Sequence, residues 1–260
     1  MSHFRNILYS IQQQCCVITL NRPEKKNALH YAMVRELKEA LQLAETDAAA
    51  RVVLIQAAGD VFSAGQDMEY LNKLQNYGFE ENFQDSIHFL ELFTKLRKYN
   101  KLVVAVVCGA AVGAGATLAA LADISVATPN AQVFFPAVKY GYIPALDMVF
   151  LQQKVGESKA RELLLLGEPI AAAEAQKMGL FNHVVETETI DAFVQTRIQK
   201  VCLENSTGAI EFTKRMLADL STMTFPDALA FVAKMSAHTR ITAEAKQGMT
   251  FFLKKEKPNW

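Results

Sequence analysis

The sequence predicts an α/β fold of short parallel crossovers that ends in a helical tail. Three observations predict it. Short apolar runs rich in β-branched residues recur between stretches of helical periodicity. The stretch Lys101–Asp123 passes from strand through glycines into helix with no charged side chain between its ends. Glu188 to Lys257 is largely helical, with a break near Ser221 to Pro226.

Taken in order, Phe4–Ser10 and Cys15–Leu20 read as two strands joined by the polar Ile-Gln-Gln-Gln segment, and Asn21-Arg22-Pro23 stops the second. Asn27 is expected to cap a helix reaching about Thr46, with Leu29, Met33, Leu37, Ala40, Leu41 and Ala44 on its buried stripe. Arg51–Ala57 is a buried strand. Asp67 is expected to cap a helix from Met68. Asn72–Asp85 is polar and aromatic and reads as the most mobile part, followed by a helix from Asp85 to about Lys98.

The central stretch holds a strand over Leu102–Val107, small residues from Gly109 to Ala116, and a helix from Ala116. A strand that turns through glycines into a helix presents unpaired N–H groups and the positive end of the helix dipole, which suit an anion or a developing oxyanion. A membrane span over the same residues is disfavoured by the three glycines and many alanines. Ile124–Ala127 and Gln132–Phe135 are strands, Pro136–Pro144 a loop, and Ala145–Val155 and Ser158–Leu166 helices parted by Gly156. A short helix over Ala171–Met178 and a strand over Phe181–Val185 precede the tail.

The 27 basic and 27 acidic residues balance, so charge makes no case for nucleic acid or an anionic membrane as a partner. The four cysteines, Cys15, Cys16, Cys108 and Cys202, form no CxxC or Cys/His spacing, so no metal is expected, and a reduced, cytoplasmic setting is. The N-terminal residues lack the basic and apolar pattern of a signal peptide.

Five stretches together resemble the crotonase superfamily of enoyl-CoA hydratases and isomerases. They are Ile18–Pro23 with Asn27-Ala28-Leu29, Phe62–Asp67, Gly109–Gly115 with Ala122-Asp123-Ile124, Gly141–Pro144, and Ala171–Leu180. Gly141–Gly156 also resembles a bacterial branch described as methylglutaconyl-CoA hydratases. The resemblance implies a ββα spiral core with a C-terminal helical trimerisation region, divided as 1–195 and 196–260. It implies a homotrimer, or a hexamer made as a dimer of trimers. It implies acyl-CoA substrates, with coenzyme A entering as part of the thioester and no separate cofactor.

Family chemistry places the enolate oxygen on two backbone amides, here Gln66 and Ala114. CoA contacts map to Lys25, Lys26, Ala28, Ala64, Asp67 and Met68, with Gly113 and Tyr140 as further substrate-binding candidates. Phe252 with Lys254 or Lys255 is expected to reach a neighbouring subunit's nucleotide. The two glutamates that hydratases of this family use fall on Thr117 and Ala137, neither of which is an acid or base. Asp147 is the first candidate to replace them; Tyr140, Lys139, Glu69 and His88 are further candidates with structural alternatives. Three classes stay open: a lyase or isomerase with displaced acid–base groups, a decarboxylase or thioester hydrolase, and a non-catalytic acyl-CoA binder.

Overall fold

In the computed structural model, which describes residues 4–258 and 260, the chain winds through repeated strand–strand–helix turns. The elements are β1 (Ile7–Gln12), β2 (Cys15–Leu20), α1 (Tyr31–Thr46), β3 (Val52–Ala57), β4 (Val61–Ser63), α2 (Met68–Leu74), α3 (Phe79–Arg97), β5 (Leu102–Val107), β6 (Ala110–Val112), α4 (Ala114–Ala120), β7 (Ile124–Ala127), β8 (Gln132–Phe134), α5 (Ala145–Leu166), β9 (Ile170–Ala171), α6 (Ala172–Lys177), β10 (His183–Val184), α7 (Ile190–Glu204), α8 (Thr207–Leu220), α9 (Phe225–Thr239) and α10 (Ala243–Lys254).

One sheet has the order β1-β2-β3-β5-β7-β10 and the other β4-β6-β8-β9. The chain thus lays a strand in the first sheet, a strand in the second and then a helix, three times over: β3-β4, β5-β6 and β7-β8. All pairs are parallel except β1 with β2 and β8 with β9. This is the expected ββα spiral. The first sheet is buried on both faces, as parallel sheets are. Cys15 and Cys16 show it: Cys16 packs into the large core with α1 and α3, whereas Cys15 packs into a smaller core under α7 with Val52, Val104 and Ile198.

Several boundaries differ from the sequence expectation. β1 runs to Gln12 because Gln12 pairs with Cys15, leaving only Gln13 and Gln14, both left-handed, as a two-residue turn. α3 begins at Phe79, not Asp85, because the Asn82 side chain ties Leu74, Tyr77 and Gly78 carbonyls and closes the α2–α3 link. Ala110–Val112 forms β6, a strand held by β4 and β8 on either side; three small residues carry no propensity that would reveal it. α4 starts at Ala114, two residues early. Part of the Pro136–Pro144 loop is a 3-10 turn, Pro136–Tyr140. No helix among the described residues is long and apolar enough to cross a membrane; Lys101–Asp123 is two strands and a helix.

Asn27 does not cap α1. His30 does, its ring accepting the Met33 N–H at 3.1 Å. Asn27 is fully buried at φ 53°, where its carbonyl oxygen accepts the Arg22 N–H and its amide donates to the Ala58 and Val61 carbonyls, each at 2.8 Å. Asn27→Ala leaves these three groups without partners and places alanine in a left-handed conformation. It is expected to lower the unfolding free energy by about 3 kcal/mol in chemical denaturation.

Candidate active site

A cavity lies between the two places where the chain crosses from sheet to helix, β4 to α2 and β6 to α4, and is flanked by the Pro136–Asp147 segment. It measures about 320 Å³. Ala64, Gly65, Gln66 and Met68 form one wall, Gly113 and Ala114 the second, and Ala137, Tyr140 and Asp147 the third.

Two glycines bring the first two walls together. At Gly65 (φ 84°) an added Cβ would lie 2.6 Å from the Val112 carbonyl oxygen and 3.7 Å from the Ala114 nitrogen. At Gly115 it would lie 2.5 Å from the Ser63 Cβ. The close approach places the Ala114 nitrogen beside residue 65, one peptide from Gln66.

The Gln66 peptide is held from both ends. The Leu29 N–H donates to the Gly65 carbonyl at 2.7 Å, and the Asp67 N–H donates to the Leu29 carbonyl at 2.9 Å. In such a parallel bridge the Gln66 N–H faces away from Leu29. Ala114 is the first residue of α4, a position whose N–H has no intrahelical acceptor. Among the described residues, neither amide donates a hydrogen bond, and both residues line the same cavity.

Asp147 sits in the first turn of α5 at 6% exposure. The Thr117 hydroxyl, at 2% exposure on α4, donates to its Oδ1 at 2.7 Å. Burial pushes the Asp147 carboxyl up to about 6, against the opposing pull of the Thr117 hydrogen bond. The position is therefore poised to change protonation near neutrality. Thr117 does not line the substrate cavity. It lines a second cavity of about 420 Å³ behind α4, whose charged residues are Arg97, Asp123, Lys154 and Lys214.

The other expected site residues divide clearly. Asp67 is a buried structural group: it caps α2 through the Glu69 and Tyr70 N–H groups and accepts from Arg22 at 3.1 Å. Arg22 also donates to the Ala28 carbonyl at 2.6 Å, so Ala28 is held in place outside the cavity wall. Lys25 and Lys26 are exposed on the loop beside α2, where Lys25 pairs with Glu69 at 2.6 Å. Lys139 pairs with Glu168, also at 2.6 Å. His88 is a buried bridge between helices, stacked on Tyr31 and bonded to Lys38. Phe252 and Lys255 lie on and after α10, away from the cavity of their own chain.

Sequence reasoning missed Leu71, Phe134, Leu146 and Tyr142, which are also in the lining. Leu71 was within reach, since it lies one helical turn after Met68. Nothing local marks the hydrogen bond from Gln75 to the Tyr142 hydroxyl, 2.9 Å long, which links the end of α2 to the segment on the opposite wall.

Known proteins match the chain over nearly its whole length. Residues 10–260 match the family model described as enoyl-CoA hydratase/isomerase. The chain is 30% identical to the 2,3-dehydroadipyl-CoA hydratase of Escherichia coli, covering 98% of each protein. It is 33% identical to the mitochondrial enoyl-CoA hydratase of Pongo abelii, over 94% of this chain and 82% of that protein. An enoyl-CoA hydratase from Shewanella pealeana superposes with a TM-score of 0.94 at 26% identity, over 99% of this chain and 96% of that one. A spiral of this topology, matched from end to end by such relatives, makes the chain an enzyme of the enoyl-CoA hydratase/isomerase family.

Proposed function

We propose that the protein moves a proton at the α-carbon of a short acyl-CoA thioester, as a lyase or isomerase, with Asp147 as its one acid–base group. The observation that carries this reading is a buried carboxyl facing the same cavity as two unengaged amides. The Gln66 and Ala114 N–H groups receive the thioester oxygen and stabilise the negative charge that grows on it as the α-proton leaves. Asp147, as carboxylate, takes that proton, becomes neutral in a site that favours the neutral form, and returns it to the α-carbon or, where a β,γ double bond extends the enolate, to the γ-carbon. The Thr117 hydroxyl orients the carboxylate. Hydration needs a second group to activate water, and Ala137 stands where such a group would face the cavity.

Lys25 and Lys26 are proposed to meet the CoA phosphates, Lys25 by exchanging Glu69 for the ligand. Residues 196–260 are proposed to form the oligomerisation region. The exposure of Phe225, Leu229, Met249, Phe252 and Leu253 on α9 and α10 supports it, because isolated chains rarely leave so much apolar surface in water.

Two measurements test the reading. Exchange of the α-protons of butyryl-CoA in D2O, followed by NMR, is expected with the native protein; no exchange refutes the role of the cavity. Crotonyl-CoA hydration, followed by loss of enoyl absorbance, is expected to be slow and to rise in Ala137→Glu. A native rate equal to that of two-carboxylate hydratases would refute the single-carboxyl mechanism.

A further inference from the structure

We infer that the acyl group accepted by this site is short and uncharged, and that an acyl chain ending in a carboxylate is refused. The inference deepens the proposed function and rests on it, since it concerns the same cavity.

Size sets the first limit. A cavity of about 320 Å³ is at the small end of the range for small-molecule sites. Charge sets the second. Asp147 places a carboxyl in the wall from the first turn of α5, with Leu71, Phe134 and Leu146 also lining the space. Another carboxylate brought into this volume loses its water and meets a like charge, and both effects oppose binding.

The cations of the surrounding elements stay outside the lining. Arg22 is bound to Asp67 and the Ala28 carbonyl, Lys25 to Glu69, and Lys139 to Glu168. Lys154 and Lys214 face the second cavity on the far side of the Thr117–Asp147 contact, where Lys214 is held by Asp123 at 2.6 Å. Among the described residues, no lysine, arginine or histidine lines the substrate cavity. A methylglutaconyl group carries a free carboxylate, so the inference sets this chain apart from the branch that Gly141–Gly156 resembles.

The test compares valeryl-CoA with glutaryl-CoA, saturated thioesters of equal carbon number that differ in a terminal methyl or carboxylate. Both are titrated calorimetrically into the full-length protein at pH 8, where Asp147 is ionised. Valeryl-CoA is expected to bind more tightly by about tenfold or more. In Asp147→Asn the ratio is expected to shrink, because the like charge is gone while the side chain keeps its shape. Glutaryl-CoA binding as tightly as valeryl-CoA overturns the inference and leaves the acyl-CoA reading standing. An unchanged ratio in Asp147→Asn also overturns it. Failure of both thioesters to bind overturns the inference together with the proposed function.

Discussion

Asp147→Asn is expected to lower α-proton exchange and isomerisation of acyl-CoA substrates by about 10²–10⁴-fold, the usual contribution of a positioned acid–base group. The substitution isolates chemistry from structure. Asparagine has the same shape and can still accept the Thr117 hydrogen bond, so the α4–α5 contact survives. What it lacks is an oxygen that can take a proton. The native enzyme should show kcat/KM rising with pH through about 6, as the carboxyl ionises, and the variant should lose that inflection.

Stability should move in the opposite direction. The folded carboxyl titrates near 6 and the unfolded one near 3.8. Below about pH 3 both states hold the proton, and the folded state carries no penalty. As pH rises from about 3 to 6 the unfolded chain releases its proton first, and folding stability falls by roughly 3 kcal/mol before levelling off. Asp147→Asn removes that loss. Its melting temperature should exceed the native value at pH 8 and match it below about pH 3, as scanning calorimetry would show. A variant that is inactive but no more stable at pH 8 would mean that Asp147 is not held as the buried carboxyl described above.

Ala114→Pro is the second substitution with a large expected effect. Proline suits the first position of a helix because its missing N–H has no intrahelical partner there and its φ is already helical. The preceding residue is Gly113, and glycine tolerates the crowding that proline imposes on its neighbour. Stability should therefore change by no more than about 1 kcal/mol. Turnover should fall by at least about 10²–10³-fold, the cost of losing one oxyanion donor, with the ring Cδ also occupying the place of the lost hydrogen. Unchanged kinetics in a folded variant would remove Ala114 from the mechanism.

Much of the frame was legible along the chain because its causes are local. The apolar run Leu102–Val107 makes β5, Asp67 caps the helix that follows it, Gly156 interrupts α5 with a backbone of φ 78°, and Thr224-Phe225-Pro226 starts α9. Each needs only neighbours within a few residues. Asn27 misled for the same reason: it has the chemistry of a helix cap, but burial among Arg22, Ala58 and Val61 gave it three partners that no local pattern reveals.

The sequence by itself determined the alternation of strands and helices and the glycine-bearing turns beside Gln66 and Ala114, because each is written in residue type and short spacing. Only the tertiary structure decided that Thr117 and Asp147, 30 positions apart, share a hydrogen bond, and that the carboxyl is buried enough to titrate near 6. A pKa depends on how much water and which charges surround a group, and those are properties of packing between elements rather than of the order of residues along the chain.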